Sequence, residues 1–269
     1  MNKMTITALL WGTQGEYMVP IHNNYESKKK DFVIDRKRPS LTSINIPTAM
    51  KDLILGGCLC NNAVKRSSIV NNNGINNPAI ELDTINDDKS SQTNEIIGDA
   101  IDVALYNLCY DKCSVNIDKI NKVNPRINCV PFNSKNKFMI TANILEEISN
   151  NDPIVLLTLK GAPDIVLSRC STYKDDNENK ILPITDEFRS SIQERQEQLG
   201  KSGYRVIAML QQKIKKSEYD THIEAYKASK QQQQQQCEGL SNEIDLHGLP
   251  KDNYCFIGKE NKILFEMYK

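Results

Sequence analysis

At 269 residues the chain is long enough for one large domain or two small ones, and for a substantial hydrophobic core. Lys plus Arg and Asp plus Glu balance at 34 each, so no net field draws the chain to nucleic acid or to anionic lipid, and no nucleic-acid partner is expected. Hydrophobic residues make up only 39%, and this low share is explained if part of the chain is polar insertion rather than core.

From the N-terminus, Met1 to Thr5 lacks an apolar run ending in small residues, so no signal peptide is expected. The longest apolar runs fall far short of the ~20 residues that span a bilayer, so no direct membrane contact is expected either. Two basic clusters, at 28–30 and 36–38, fit either a solvated loop or a local basic patch. Met50, Leu53, Ile54, Gly57, Cys60 and Val64 recur at helical spacing after Pro47 and Thr48. Residues 67–94 are rich in Asn, Ser and Asp with no sustained period. Such a stretch buries too little apolar surface to offset its ordering entropy, so it reads as an insertion.

Ile101, Ala104, Leu105, Leu108 and Cys109 form a second helical stripe, with Asp99 placed to cap it. Residues 137–144 alternate as a strand, with Phe138, Ile140, Ala142 and Ile144 on one face and Lys137, Met139 and Thr141 on the other. Residues 154–159 read as a buried strand, and Pro163 then starts a helix running to Cys170. Phe188, Ile192, Gln196 and Leu199 mark a further helix, with Thr185 as its cap and Gly203 past its end. Residues 204–214 are strand-like again, with Arg205, Ile207 and Met209 on one face. A helix-like run at 218–230 leads into the homopolymer Gln231 to Gln236, which either extends that helix or is disordered; residues 227–250 read as a second polar insertion. Helices and strands do not alternate singly, so the expected class is α+β, a twisted antiparallel β-sheet flanked by helices. One domain over 1–269 is expected.

Eight cysteines include only two close pairs, Cys58/Cys60 and Cys109/Cys113, and neither has C-x₂-C spacing. Free or buried thiols in a reducing compartment are expected, with no metal site. The three histidines stand in scattered polar contexts. Gly200-Lys201-Ser202 imitates the end of a P-loop motif, but Arg195 occupies the required upstream glycine position and a helix, not a strand, precedes it.

A nucleotide site without a P-loop needs a face for the base, cations for phosphates, and backbone that can come close. Phe132 is either a stacking platform or a core residue at a strand end. Lys137 is either a ligand cation or an ordinary surface lysine. Lys160 follows a buried strand, precedes Gly161, and lies beside a helix start, all of which suit an anionic group. Arg205 offers a fork for phosphate oxygens or for a surface ion pair. Asp102 in the first turn of its helix is accounted for by the helix dipole alone.

Four motifs then stand in order: Gly98-Asp99-Ala100-Ile101-Asp102-Val103-Ala104-Leu105, Pro131-Phe132-Asn133-Ser134-Lys135-Asn136-Lys137, Lys160-Gly161-Ala162-Pro163-Asp164 and Gly203-Tyr204-Arg205-Val206. With Leu59-Cys60-Asn61-x-Ala63 ahead of them, the chain resembles the nucleotide-binding domain of P-type cation-transporting ATPases, nearest to sodium/potassium-type or calcium-type pumps. The resemblance implies that Phe132 stacks on the adenine of ATP, that Lys137, Met139, Lys160 and Gly161 line its pocket, that Asp102 hydrogen-bonds near the base, and that Arg205 reaches the phosphates. Asp102 stands where the family usually has Glu, Ile101 replaces a Thr or Ser, and Met139 falls where sodium/potassium pumps carry Gln.

Neither Asp-Lys-Thr-Gly-Thr nor Thr-Gly-Asp-Gly-x-Asn-Asp occurs. The chain is therefore expected to be a piece of a longer pump, with residues 1–20 and 251–269 near the links to its phosphorylation domain. It is expected to be monomeric, to bind ATP or ADP without hydrolysing it, and to carry no catalytic residue or metal ligand. Magnesium ligands, the phosphorylation domain and the actuator domain would lie elsewhere in the parent chain, on the cytoplasmic face of a membrane. A different class of function, a protein-interaction module with low-complexity arms, accounts for the Asn-rich and Gln-rich stretches but leaves the four motifs to coincidence. A free-standing hydrolase would need a nucleophile or metal cluster.

Overall fold

The computed structural model describes residues 4–11, 15–19, 48–68, 93–145, 152–175, 180–235, 246–252, 254–256 and 266–268. The basic clusters at 28–30 and 36–38, the middle of the first polar insertion (69–92), and residues 236–245 of the second lie outside them. In chain order the elements are β1 (Thr5–Trp11), β2 (Gly15–Met18), α1 (Thr48–Leu59), β3 (Val64–Ser68), β4 (Thr93–Ile97) and α2 (Ala100–Asn107). A π-helical turn (Leu108–Lys112) continues α2, followed by α3 (Ile117–Val123), β5 (Arg126–Val130), β6 (Phe138–Ile144), β7 (Ile154–Gly161) and α4 (Pro163–Leu167). The chain goes on through β8 (Cys170–Asp175), β9 (Lys180–Pro183), α5 (Asp186–Lys201), β10 (Ala208–Lys215), α6 (Lys216–Gln235), β11 (Tyr254–Phe256) and β12 (Glu266–Tyr268).

Local rules account for several of these starts and stops. Asp99 caps α2 by accepting from the amides of Ile101 and Asp102, and Thr185 caps α5 by accepting from Phe188. Past α5, Gly203 takes φ +84°, a left-handed conformation that a glycine adopts at little cost. Phe188, Ile192 and Leu199 are the residues α5 buries, as its spacing requires.

Seven strands form the main sheet in the order β5-β6-β7-β10-β11-β8-β9. Every neighbouring pair is antiparallel except β11 with β8. The expected α+β class, an antiparallel sheet flanked by helices, is what the chain adopts. A smaller sheet, β12-β1-β2, joins the same core through Ile6 and Leu9, and β3-β4 is a two-stranded ribbon. Among the described residues no helix is long and apolar enough to cross a membrane.

Several expected boundaries move. The helical period at 50–64 stops at Leu59: Cys60 is buried, but Val64 begins β3 and is 59% exposed. The alternating strand begins at Phe138, and Lys137 precedes it with φ +59°. Its two faces are not apolar and polar, because residues 138–143 are all buried. Helix α1 covers the Met139 side of the sheet, where a Cβ on Gly56 would stand 3.1 Å from Met209 Sδ and 3.3 Å from Thr158 Cγ2. The helix begun at Pro163 ends at Leu167 rather than Cys170, since Cys170 pairs with Tyr254 in the sheet. Residues 204–207 precede β10 instead of belonging to it. Gln231 to Gln235 continue α6.

Candidate functional site

Antiparallel pairing brings four chain segments to one end of the main sheet. Strand β5 finishes there, with Val130 opposite Ile140; β6 begins there, with Phe138 opposite Gly161; β7 finishes at Gly161; and β10 begins at Ala208, also opposite Gly161. Phe132 lies just beyond β5, Lys137 just before β6, Gly161 at the tip of β7, and Arg205 just before β10. Four of the seven candidate residues, from positions 73 apart in sequence at the extremes, therefore share one rim.

Three are exposed: Phe132, Lys137 and Arg205. Phe132 is not a core residue, being 55% exposed. The 131–137 turn that presents it is internally bonded. The Asn136 amide donates to Asn133 Oδ1 at 2.7 Å, and the Lys137 amide to the Asn133 carbonyl at 2.8 Å. The left-handed Lys137 then accepts from the Ala162 amide at 3.1 Å, stitching this turn to the Lys160-Gly161-Ala162-Pro163 segment. Gly161 is required by that close approach. A Cβ there would lie 2.6 Å from the Lys137 carbonyl oxygen and 2.7 Å from Phe138 Cβ.

One residue further into the sheet, on the face under α1, Lys160 sits between its cross-strand neighbours Met139 and Met209. Met139 is 1% exposed, and Lys160 is buried. A buried ammonium needs an anion, and Asp102 supplies it: Lys160 Nζ donates to Asp102 Oδ1. Asp102 is itself 1% exposed. So the dipole role that suffices for Asp102 on sequence grounds is joined by an ion pair spanning 58 residues.

The pair is held by a loop that sequence reasoning did not assign to the site. Asp102 Oδ2 accepts from the Asn62 amide at 2.8 Å. Asn61 Nδ2 donates to the Asp102 carbonyl at 3.0 Å and to the Gly57 carbonyl at 3.1 Å, while Asn61 Oδ1 accepts from the Ala63 amide at 2.7 Å. Asn62 Nδ2 points to Met139 Sδ at 3.8 Å. Arg126 grips the same loop with its guanidinium, 2.8 Å from Asn62 Oδ1, 2.8 Å from the Leu59 carbonyl and 2.6 Å from the Asn61 carbonyl. Asn61 was visible within Leu59-Cys60-Asn61-x-Ala63, but Asn62 was its unassigned position and nothing in the sequence marked Arg126.

Cys60 beside this network is no nucleophile, because burial pushes its thiol up to about 11. None of the seven described cysteines is in a disulfide, and most are buried. No group of three or more His, Cys, Asp or Glu side chains fit to hold a metal occurs among the described residues. The assembled chemistry is thus an exposed aromatic face and two exposed cations at a rim, beside a buried ion pair.

Comparison with known proteins bears on what such a rim serves. The sodium/potassium-transporting ATPase subunit alpha of Tetronarce californica is 29% identical over 163 residues, covering 61% of this chain and 14% of that protein. The corresponding subunit of Drosophila melanogaster is 36% identical over 113 residues, 42% of this chain and 10% of that protein. The human alpha-3 subunit is 27% identical over 164 residues, with coverage of 61% and 14%. The chain spans only about a seventh of the length of such relatives. A family model described as P-type ATPase, cytoplasmic domain N, matches residues 49–249, which takes in every candidate site residue. The chain belongs to the family of P-type ATPase cytoplasmic N domains.

Proposed function

We propose that this N domain binds the adenine end of ATP and delivers its γ-phosphate to an aspartate in a phosphorylation domain of the same parent chain. The observation that carries the reading is the rim at which Phe132, Lys137, Gly161 and Arg205 converge. Phe132 is the stacking face for adenine. Lys137 lines the pocket, and Arg205 reaches the phosphates as a planar fork. Lys160, Met139 and Asp102 form the floor. An ammonium has three donors, so Lys160 serves a base nitrogen while keeping its bond to Asp102. Gly161 keeps the backbone low enough for the ligand to approach.

Binding here serves positioning, with the covalent chemistry done elsewhere. No catalytic residue is assigned to this chain, and the magnesium of the working enzyme is held by groups outside it. The partners are the phosphorylation and actuator domains of a cation pump, at the cytoplasmic face of a membrane, with this domain acting as a monomer and residues 1–269 forming one unit.

One stacked ring contributes ~1–3 kcal/mol, and two or three charge-assisted hydrogen bonds add ~1.5–3 kcal/mol each. Lost translational and rotational freedom opposes them by at least ~4 kcal/mol. What remains corresponds to a dissociation constant of about a millimolar or somewhat tighter. Titrating ATP, ADP and AMP into isotope-labelled protein should give saturable shifts clustered at 131–137 and 160–162, and no phosphate release over hours. Silence toward all three nucleotides would overturn the reading.

A further inference from the structure

We infer that Arg126 is a positioning residue for the nucleotide site, acting through Asn62 on the Asp102–Lys160 pair; this rests on the ATP reading above. Arg126 opens β5, at the opposite end of that strand from Phe132, and is exposed. It does not belong to the rim. Its guanidinium nevertheless makes three hydrogen bonds into the 59–62 loop.

The bond to the Leu59 carbonyl is what any cation near the end of α1 would make, since the last carbonyls of a helix lack partners, and the bond to the Asn61 carbonyl extends it to the loop just beyond. The third is different. Asn62 Oδ1 accepts from Arg126, while the Asn62 amide donates to Asp102 Oδ2 and Asn62 Nδ2 faces Met139 Sδ. Asn62 is thus clamped on one side by Arg126, and on the other it fixes one carboxylate oxygen of Asp102 and touches the sulfur beside Lys160. The second carboxylate oxygen holds the ammonium. A rotation of Asn62 moves the carboxylate, and the carboxylate carries Lys160 with it.

The register supports the same chain of contacts. Arg126 pairs with Asn143, on the face of β6 that also presents Met139 and Thr141, so its side chain runs over the sheet face that bears Lys160. Only a planar fork reaches two carbonyls and an amide oxygen at once. A lysine ammonium at this position keeps the charge near the helix end but not the fork.

The test is ATP affinity and melting temperature for Arg126→Lys and Asn62→Ala, each also in an Asp102→Asn background. Arg126→Lys should weaken ATP binding about threefold to tenfold while shifting the melting temperature by only a few degrees. Asn62→Ala, which keeps the amide that holds Asp102, should weaken it by a similar factor. In the Asp102→Asn background both penalties should shrink below twofold, because the link they act through is already altered. Affinity unchanged within twofold, or a penalty undiminished beside Asp102→Asn, would overturn the inference and leave Arg126 a helix-end cation. If the unsubstituted protein ignores ATP, the ATP reading fails first. The coupling is then read without nucleotide from the Lys160 ¹⁵Nζ resonance, and an unmoved signal in Arg126→Lys overturns it.

Discussion

Replacing Lys160 by Met deletes an ammonium while keeping most of the stem that packs between Met139 and Met209. What remains is Asp102, 1% exposed and anionic, with the Asn62 amide on Oδ2 and nothing in place of Lys160 on Oδ1. Breaking a buried pair from one side costs about 3–5 kcal/mol, because the surviving charge stays desolvated. For a domain of this size each kcal/mol lowers the melting temperature by ~2–4 °C, so a fall of ~6–20 °C is expected. Adding Asp102→Asn should recover more than half of it, since the stranded charge goes with it. The surface pair Lys216–Asp220 provides the scale: at 2.5 Å its contact is close, but its side chains are 29% and 49% exposed, and its removal should cost no more than ~1 kcal/mol. Urea and thermal unfolding of the four proteins in the Lys160/Asp102 cycle measure the coupling directly. A loss below about 1 kcal/mol for Lys160→Met, or a double variant as unstable as the two single losses summed, would refute the claim that these charges depend on one another.

Phe132→Ala should leave the melting temperature within a degree or two, because the residue is already 55% exposed, yet weaken ATP by the ~1–3 kcal/mol of a stacked base, about 5- to 150-fold; retained affinity removes the ring from the site. Gly161→Ala should cost about 1–3 kcal/mol in urea unfolding, as its Cβ must displace the Lys137 backbone from 2.6 Å. Gly200→Ala, with nothing within 4 Å, should if anything stabilise α5; equal effects at the two glycines would contradict the packing described. Burial raises the Cys60 thiol from 9.0 to about 11 and Cys113 to about 12. As pH climbs past 9 the unfolded chain loses these protons first, so the stability present below pH 9 falls between pH 9 and about 12. Urea midpoints at pH 8, 9.5 and 10.5 report it, and a flat profile would show the thiols to be solvated.

How far the sequence reached depended on whether the deciding interaction was local. Asp99 and Thr185 were legible because a cap is settled within three residues. Strand β7 was legible because seven of its eight residues are buried, on both faces, which leaves a run from Ile154 to Leu159 with Thr158 as its one polar member, just before Lys160. By contrast, the helical period through Val64 gave no sign that α1 ends at Leu59, because the groups gripping its exit, Asp102 and Arg126, lie 40 and 64 residues further on from Asn62. Lys137 read as the first residue of a strand. Its φ of +59° is set by the Asn133 carbonyl on one side and the Ala162 amide on the other, and only the second of these is distant. The alternation in β6 failed for a similar reason: a polar-looking face is as buried as an apolar one once α1 lies across it.

Chain topology also divides labour among the candidate residues. Residues that flank strands, Phe132, Lys137 and Arg205, leave the sheet and become exposed at its rim. Residues one step inside, Met139 and Lys160, stay buried and must satisfy one another's surroundings. In the proposed site a ligand at the rim would therefore meet groups whose loss is expected to change affinity with little effect on folding, resting on a floor whose loss is expected to change both. In the proposed site Lys160 belongs to the floor, although a lysine beside a glycine at a strand end reads in the sequence as suited to an anionic group. Its ammonium is already bonded to Asp102, so its contribution in the proposed complex would be set by where Asp102 holds it. This is why a substitution at Arg126, remote from the rim, is expected to be felt by ATP, while an ordinary change on the exposed face of α5 is not.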